Sequence, residues 1–183
     1  MLTTAELISP HYRNLQQQLH ASPRGYGGRG DKWAGVVMQI AAEYQATSIL
    51  DYGAGQRTLA RALRAMPLGA IRIDEYDPAI PGIDMPPEFA DLVVVTDVLE
   101  HIEPDKLSAV LKHLRMLARK ALWVVVSLKE SNKRLADGRN AHLIIEPGGW
   151  WKKTFLRAGF TLHNPPTIVR ELPKKEWAVV LTP

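Results

Sequence analysis

At 183 residues, with 46% hydrophobic and 23% charged side chains, the chain is long enough for one well-packed domain and too short for two of ordinary size. It has no cysteine, which excludes disulfides, thiolate zinc sites and cysteine nucleophiles together and leaves any metal to histidine and carboxylate ligands. The formal net charge is +4, no apolar run approaches the ~20 residues of a membrane span, and Met1 to Glu6 lack the basic start and apolar stretch of a signal peptide; these features predict a cytoplasmic protein with no membrane partner.

Taken in chain order, residues 1–30 are polar and end in Pro23-Arg24-Gly25-Tyr26-Gly27-Gly28-Arg29-Gly30, a glycine-rich loop. They are expected to form a loop and helix region that covers the site within a single domain of residues 1–183. From Asp31 the spacing of Trp33, Val36, Val37, Ile40, Ala41 and Tyr44 predicts a helix, with Asp31 placed to cap it. Ser48 to Tyr52 reads as a short buried strand, followed by a glycine turn and a helix with Leu59, Ala60 and Leu63 inward. Ala70 to Tyr76 and Asp91 to Thr96 are the next strands, the valine run of the latter suiting a strand buried on both faces.

Pro104 fits the first turn of the following helix, and Leu107, Val110, Leu111, Leu114 and Leu117 supply its apolar stripe. Ala121 to Ser127 is another buried strand. Gly149 to Ala158 reads as a helix stopped by Gly159, and strands around Thr167 to Glu171 and Trp177 to Leu181 can close the sheet as a hairpin. Strands alternating with helices predict a doubly wound α/β sheet, mostly parallel with a C-terminal antiparallel hairpin. Ligands of such sheets sit beyond the carboxyl ends of the strands, so the turns after Tyr52, Tyr76, Thr96 and Ser127 should surround the site.

In Asp51-Tyr-Gly53-Ala-Gly55-Gln-Arg57 the two glycines let the backbone turn sharply and approach a ligand. A dinucleotide fingerprint would need glycine where Thr58 stands, which disfavours an NAD-dependent oxidoreductase. Asp77 lies 22 positions beyond Gly55, about where a carboxylate grips ribose hydroxyls in nucleotide-binding α/β folds; Glu75 is the alternative. Asp91 follows Asp77 by only 14 positions, which leaves little room for the usual intervening helix. Asp84 and Met85 are candidates to border an adenine.

Asp97, Glu100 and His101 stand at the end of a strand, where Asp97 and Glu100 can share one face and, with His142 from the next loop, surround a divalent cation. The alternative is that Glu100 brackets the next helix and His101 packs beside a cofactor. Trp150-Trp151-Lys152-Lys153 offers a stacking surface for single-stranded nucleic acid, or a pair that packs a helix start on the sheet. Segments 20–35 and 127–142 each net +2 and would attract phosphates from the rim of the site.

The glycine turn resembles motif I of class I S-adenosylmethionine-dependent methyltransferases, an acidic residue followed by x-G-x-G-x-G, with Arg57 in place of the last glycine. The Tyr76-Asp77-Pro78, Asp97-Val-Leu-Glu100-His101 and Asp137-Gly-Arg-Asn-Ala-His142 strings are similar to those of compact phage-borne members. The Asp-x-x-Glu-His element also resembles that of ubiquinone-biosynthesis O-methyltransferases and small-RNA 2′-O-methyltransferases. The resemblance implies a Rossmann-like fold in which S-adenosylmethionine is held by Asp51, Gly53, Gly55, Asp77 and Asp97. It further implies a magnesium or manganese ion held by Asp97, Glu100, His101 and His142. Asp97, His101 and His142 would then serve methyl transfer to an oxygen or nitrogen acceptor, on a nucleic acid, a nucleotide or another small molecule. Arg57 and the short segment before Asp91 keep a noncatalytic S-adenosylmethionine-binding module as the alternative.

Overall fold

The computed structural model describes residues 2–22, 26–67, 69–163 and 175–183. Six strands form one sheet: β1 (Ser48–Tyr52), β2 (Arg72–Tyr76), β3 (Ala90–Thr96), β4 (Ala118–Ser127), β5 (Thr161–His163) and β6 (Glu176–Thr182), in the order β2-β1-β3-β4-β6-β5. β1 runs parallel to β2 and β3, and β3 to β4, while β6 is antiparallel to both β4 and β5. The strand order turns at β1, and the switch point lies between β1 and β3, where this sheet type opens a crevice. The expected hairpin partner at Thr167 to Glu171 lies outside the described residues; β5 pairs with β6 in the described chain.

The helices divide between the two faces because each presents one apolar stripe. On one face α3 (Ala34–Glu43) and α4 (Thr58–Arg64) pack Val37, Ile40, Leu59 and Leu63 against Trp123. On the other, α5 (Leu107–Leu117) and α6 (Gly148–Arg157) bring Leu111, Leu114, Trp151 and Phe155 into one cluster with residues of β3, β4 and β6. Gly159, at φ +86, ends α6 in the left-handed conformation that favours glycine.

Asp31 and Pro104 take other places than expected. Asp31 does not cap a helix but sits in a 3-10 turn, Gly30–Trp33, that leads into α3. Pro104 lies in a turn that precedes α5. Trp151 is fully buried, and the partly buried Trp150 packs against the core beside it, so the pair anchors α6 on the sheet.

The N-terminal segment is more ordered than its polarity suggests. α1 (Thr4–Leu7) and α2 (Pro10–His20) lie over the carboxyl ends of the strands. Leu15 and Leu19 are buried with Ile8, Tyr12, Ala79, Leu135 and Ala141 in a separate apolar cluster. Ser9 donates from N and Oγ to Glu103 at 2.8 and 2.6 Å, and Arg13 pairs with Asp84. These contacts fasten α2 to the loops after β2 and β3. Among the described residues no helix is long and apolar enough to cross a membrane.

Candidate active site

Beneath α2 lies a cavity of about 660 Å³. All four turns named from the sequence reach it, through Gly53, Asp77, Asp97 and Lys129, and so does the glycine-rich loop at Gly27 to Gly30. Its size is that of a small-molecule or cofactor pocket.

The glycine turn forms its floor. Gly53 has φ +79, and a Cβ there would stand 2.4 Å from Val98 Cγ2. Gly55 has φ +48, and a Cβ would lie 2.9 Å from the carbonyl oxygen of Gly27. Conformation and space therefore both require glycine at these two positions. Arg57 also holds a left-handed backbone, φ 60, so it adopts at some strain the geometry that the third motif glycine adopts freely. Its side chain reaches Glu75 at 3.9 Å and does not line the cavity; Arg57 leaves the floor unobstructed.

Asp77 lines the cavity, whereas Glu75 pairs with Arg57 and Arg64 and does not line it. Asp77 Oδ2 accepts from Gly55 N at 3.1 Å and Oδ1 from Ala79 N at 2.9 Å, tying β2 to the glycine turn. Asp51 is buried at the end of β1; burial first, then Glu75 and Asp77, push its carboxyl up to about 7. A cationic group entering the cavity would favour its ionised form. Asp84 is engaged with Arg13, Met85 is 76% exposed, and neither lines the cavity.

Next to the glycine turn, where Val98 meets Gly53, the Asp-Val-Leu-Glu-His string divides its carboxylates. Asp97 takes φ 56 and turns outward, 3.6 Å from Lys32 Nζ. Leu99–His101 then form a 3-10 turn that carries Glu100 fully into the interior. Glu100 Oε1 accepts from Ser127 N at 2.8 Å, while Oε2 is buried without a hydrogen-bond partner. Burial, and after it Asp97, push the Glu100 carboxyl up to about 8.

His101 donates from Nδ1 to Ala141 O at 2.7 Å, because a carbonyl can only accept. Its Nε2 therefore carries a lone pair. Burial first, then His142, hold the imidazole down to about 3, so it is neutral across the physiological range.

The loop after β4 meets this turn through main-chain bonds from Leu143 N and Ile144 N to Glu100 O, at 2.7 and 3.0 Å. Within it Asn140 bonds Ser131 N, Ser131 O and His142 N, and Gly138 takes φ +88 after Asp137. So braced, His142 donates from Nδ1 to Lys129 O at 2.6 Å, and its ring meets His101 edge to face at 4.6 Å. Glu100, His101 and His142 offer three ligand atoms within 4.8 Å of one another. Asp97 is not in this group, since its left-handed backbone separates it from Glu100 and the two share no face.

Sequence reasoning missed Tyr12 and Tyr26, whose hydroxyls lie against the His101 carbonyl and the His101 ring respectively. Tyr26 carried a signal only in being the one aromatic residue of the glycine-rich loop. Asn140, which holds His142 in place, had no signal beyond a loop rich in polar groups.

No protein-family model and no curated protein matches this chain. Solved structures do. One is 1,6-didemethyltoxoflavin-N1-methyltransferase of Burkholderia thailandensis, with bound 1,6-didemethyltoxoflavin and S-adenosylhomocysteine. It is 18% identical with a TM-score of 0.63 over 96% of this chain and 90% of its own. Human N-acetylserotonin methyltransferase in complex with its cofactor is 16% identical, with a TM-score of 0.57 over 99% of this chain and 60% of that one. The small RNA methyltransferase HEN1 is 11% identical, with a TM-score of 0.56 over 81% of this chain and 24% of that one. At such identities the likeness is one of fold: the chain has the mostly parallel, Rossmann-like sheet of class I methyltransferases, with antiparallel strands at its C-terminal edge.

Proposed function

We propose that this protein transfers a methyl group from S-adenosylmethionine to an oxygen or nitrogen acceptor. The observation that carries the reading is one cavity with two chemically distinct sets of lining groups. Gly53, Asp51 and Asp77 offer backbone and carboxylates suited to an amino acid and a ribose, and His101 and His142 offer imidazoles. The neighbouring N1-methyltransferase structure contains S-adenosylhomocysteine, which supports the same cofactor here. Bound in this cavity, the cofactor supplies an electrophilic methyl group.

Each chain residue then has a defined task. Asp51, raised to about 7 chiefly by burial, favours its ionised form beside the cofactor ammonium. Asp77 has lone pairs left on both oxygens to accept from ribose hydroxyls. Asp97 and Lys32 stand 3.6 Å apart at the cavity edge and complement the charged ends of the amino-acid portion. His142, whose Nδ1–H is committed to Lys129 O, presents an unprotonated Nε2 that can take the acceptor's proton. α1 and α2 exclude water from above.

The buried, unpartnered Glu100 Oε2 and the two neutral imidazoles fit a divalent cation of the magnesium or manganese class. Glu100, His101 and His142 would hold it, without Asp97, and His142 Nε2 would then be a ligand in place of the proton acceptor. When bound it would supply Lewis-acid polarisation of an acceptor oxygen. Arg29, Lys32 and Lys129 at the cavity edge favour an acceptor carrying phosphate, a nucleotide or nucleic acid.

The test is incubation with methyl-labelled S-adenosylmethionine and nucleic acid, nucleotide and other small-molecule pools, with and without magnesium. Label in an acceptor pool supports the reading. Tight S-adenosylhomocysteine binding without transfer to any pool would favour the noncatalytic module instead.

A further inference from the structure

Part of the cavity wall belongs neither to the glycine turn nor to the end of β2. Leu7 and Ile8 at the end of α1, Ile102 in the turn after β3 and Val110 on α5 all line it. α1 packs against α5. Leu7 and Val110 share one apolar cluster, on which Ile102 packs, and Ile8 shares another with Tyr12. These side chains therefore lie together beneath α1 and the start of α2, and Ile102 follows His101 directly in the chain.

One polar group joins them with a fixed orientation. Gln16 lines the cavity from α2 and is itself buried. The Tyr12 hydroxyl donates its single proton to His101 O, and burial raises it well above its ordinary value, so that proton is retained. Toward Gln16 the hydroxyl can therefore only accept, and Gln16 Nε2 donates to it at 2.6 Å. The amide cannot turn over without losing that bond. Its Oε1 has no hydrogen-bond partner among the described residues, which leaves an acceptor for a ligand to fill.

We propose that Leu7, Ile8, Gln16, Ile102 and Val110 form the seat of the methyl acceptor, and that the seat takes a compact, largely apolar molecule whose hydroxyl or N–H is received by Gln16 Oε1. This rests on the methyltransferase reading of the cavity and narrows its acceptor to a small molecule. The seat offers one hydrogen-bond acceptor among four apolar side chains, so a nucleobase, with several donors and acceptors on its edge, would leave most of them unpaired there. α1 and α2, fastened by Ser9 to Glu103 and by Arg13 to Asp84, close the seat against a polynucleotide. The basic groups at the cavity edge act on a charged part that stays near the mouth; the seat selects the part that is buried. Tyr12 is a positioning residue in this arrangement, since it sets which end of the Gln16 amide is left for the ligand.

The experiment is a ligand-observed proton NMR titration with indole and benzofuran, two rings of the same shape of which only indole carries an N–H. Each is added to wild type, Gln16→Leu and Ile102→Trp, all saturated with S-adenosylhomocysteine, and uridine monophosphate is then added as competitor. Wild type should bind indole saturably and about tenfold more tightly than benzofuran, the equivalent of 1.4 kcal/mol. Gln16→Leu should bind the two rings alike, whereas a mere loosening of α2 would weaken both and keep their ratio. Ile102→Trp fills the seat and should lose indole, with S-adenosylhomocysteine affinity by calorimetry within about threefold of wild type, well under a tenfold change. Uridine monophosphate should leave bound indole in place.

The same preference for indole in wild type and Gln16→Leu would overturn the role of Gln16. No saturable indole binding by wild type, or binding that survives in Ile102→Trp, would overturn the seat, and displacement of indole by uridine monophosphate would overturn its selectivity. If wild type binds no S-adenosylhomocysteine, the cofactor reading fails, while the same titrations on the free protein still decide the seat. Should Ile102→Trp not fold, the ratio of the two rings in Gln16→Leu remains the deciding measurement, and an unchanged ratio counts against the proposal.

Discussion

Replacing Glu100 with glutamine removes one buried ionisable group while keeping the side chain's shape and its bond from Ser127 N. In the folded protein the carboxyl lies at about 8, against an ordinary 4.5, so the native state holds this proton more tightly than the unfolded chain does. The stabilising contribution is fully present below pH 4.5 and is lost as pH rises to about 8. At about 1.4 kcal/mol for each pH unit between the two values, the loss reaches at most ~5 kcal/mol above pH 8. For a domain of this length that corresponds to roughly 10–20 °C in Tm.

The assay is urea unfolding in chelator at several pH values between about 4 and 9, with the slope m checked for constancy. Glu100→Gln should match wild type near pH 4 and exceed it increasingly toward pH 9. Asp51, also raised by burial, gives its own decline in both proteins and cancels in the comparison. Manganese at about pH 8 should stabilise wild type and leave Glu100→Gln unaffected. Stability profiles that run parallel over the whole range would refute the buried, proton-holding Glu100, and equal manganese responses would refute its part in a cation site.

The cofactor floor gives further tests. Gly53→Ala forces a Cβ against Val98 at a positive φ and should cost roughly 2–5 kcal/mol by thermal or urea melting, with loss of S-adenosylhomocysteine binding. Arg57→Gly relieves a left-handed backbone at φ 60 and should stabilise by about 1 kcal/mol with unchanged S-adenosylhomocysteine affinity; weaker binding would put Arg57 inside the site. Asp77→Asn removes the charge that faces the cavity and should weaken S-adenosylhomocysteine by about 10–100-fold in calorimetry, the worth of a hydrogen bond to a charged group.

The parts of this site that were legible in the sequence are those written in local spacing. The glycine turn, Asp77 after β2 and the return of His142 toward His101 each follow from where a strand ends. The doubly wound sheet was legible for the same reason, through the valine runs of β3 and β4. Three features were not. Asp97 and Glu100 are three apart, which on a continuous helix would put them side by side, but Asp97 at φ 56 breaks that helix and sends them to different environments. α2 covers the site through Leu15, Leu19 and Tyr12, contacts made with residues such as Leu135 and Ala141 that lie far away in the chain. The Tyr26 hydroxyl meets the His101 ring across 75 positions, and nothing in its neighbours specifies that partner. Trp151 is a case the sequence left open, since an aromatic pair beside two lysines fits a stacking surface or a packed helix start until its burial is known.

The central claim, that the cavity beneath α2 is an S-adenosylmethionine site, is tested most directly by titrating S-adenosylhomocysteine into the purified protein in a calorimeter. The account predicts saturable binding at one site per chain, weakened in Asp77→Asn. Absence of binding by the folded wild-type protein would contradict it.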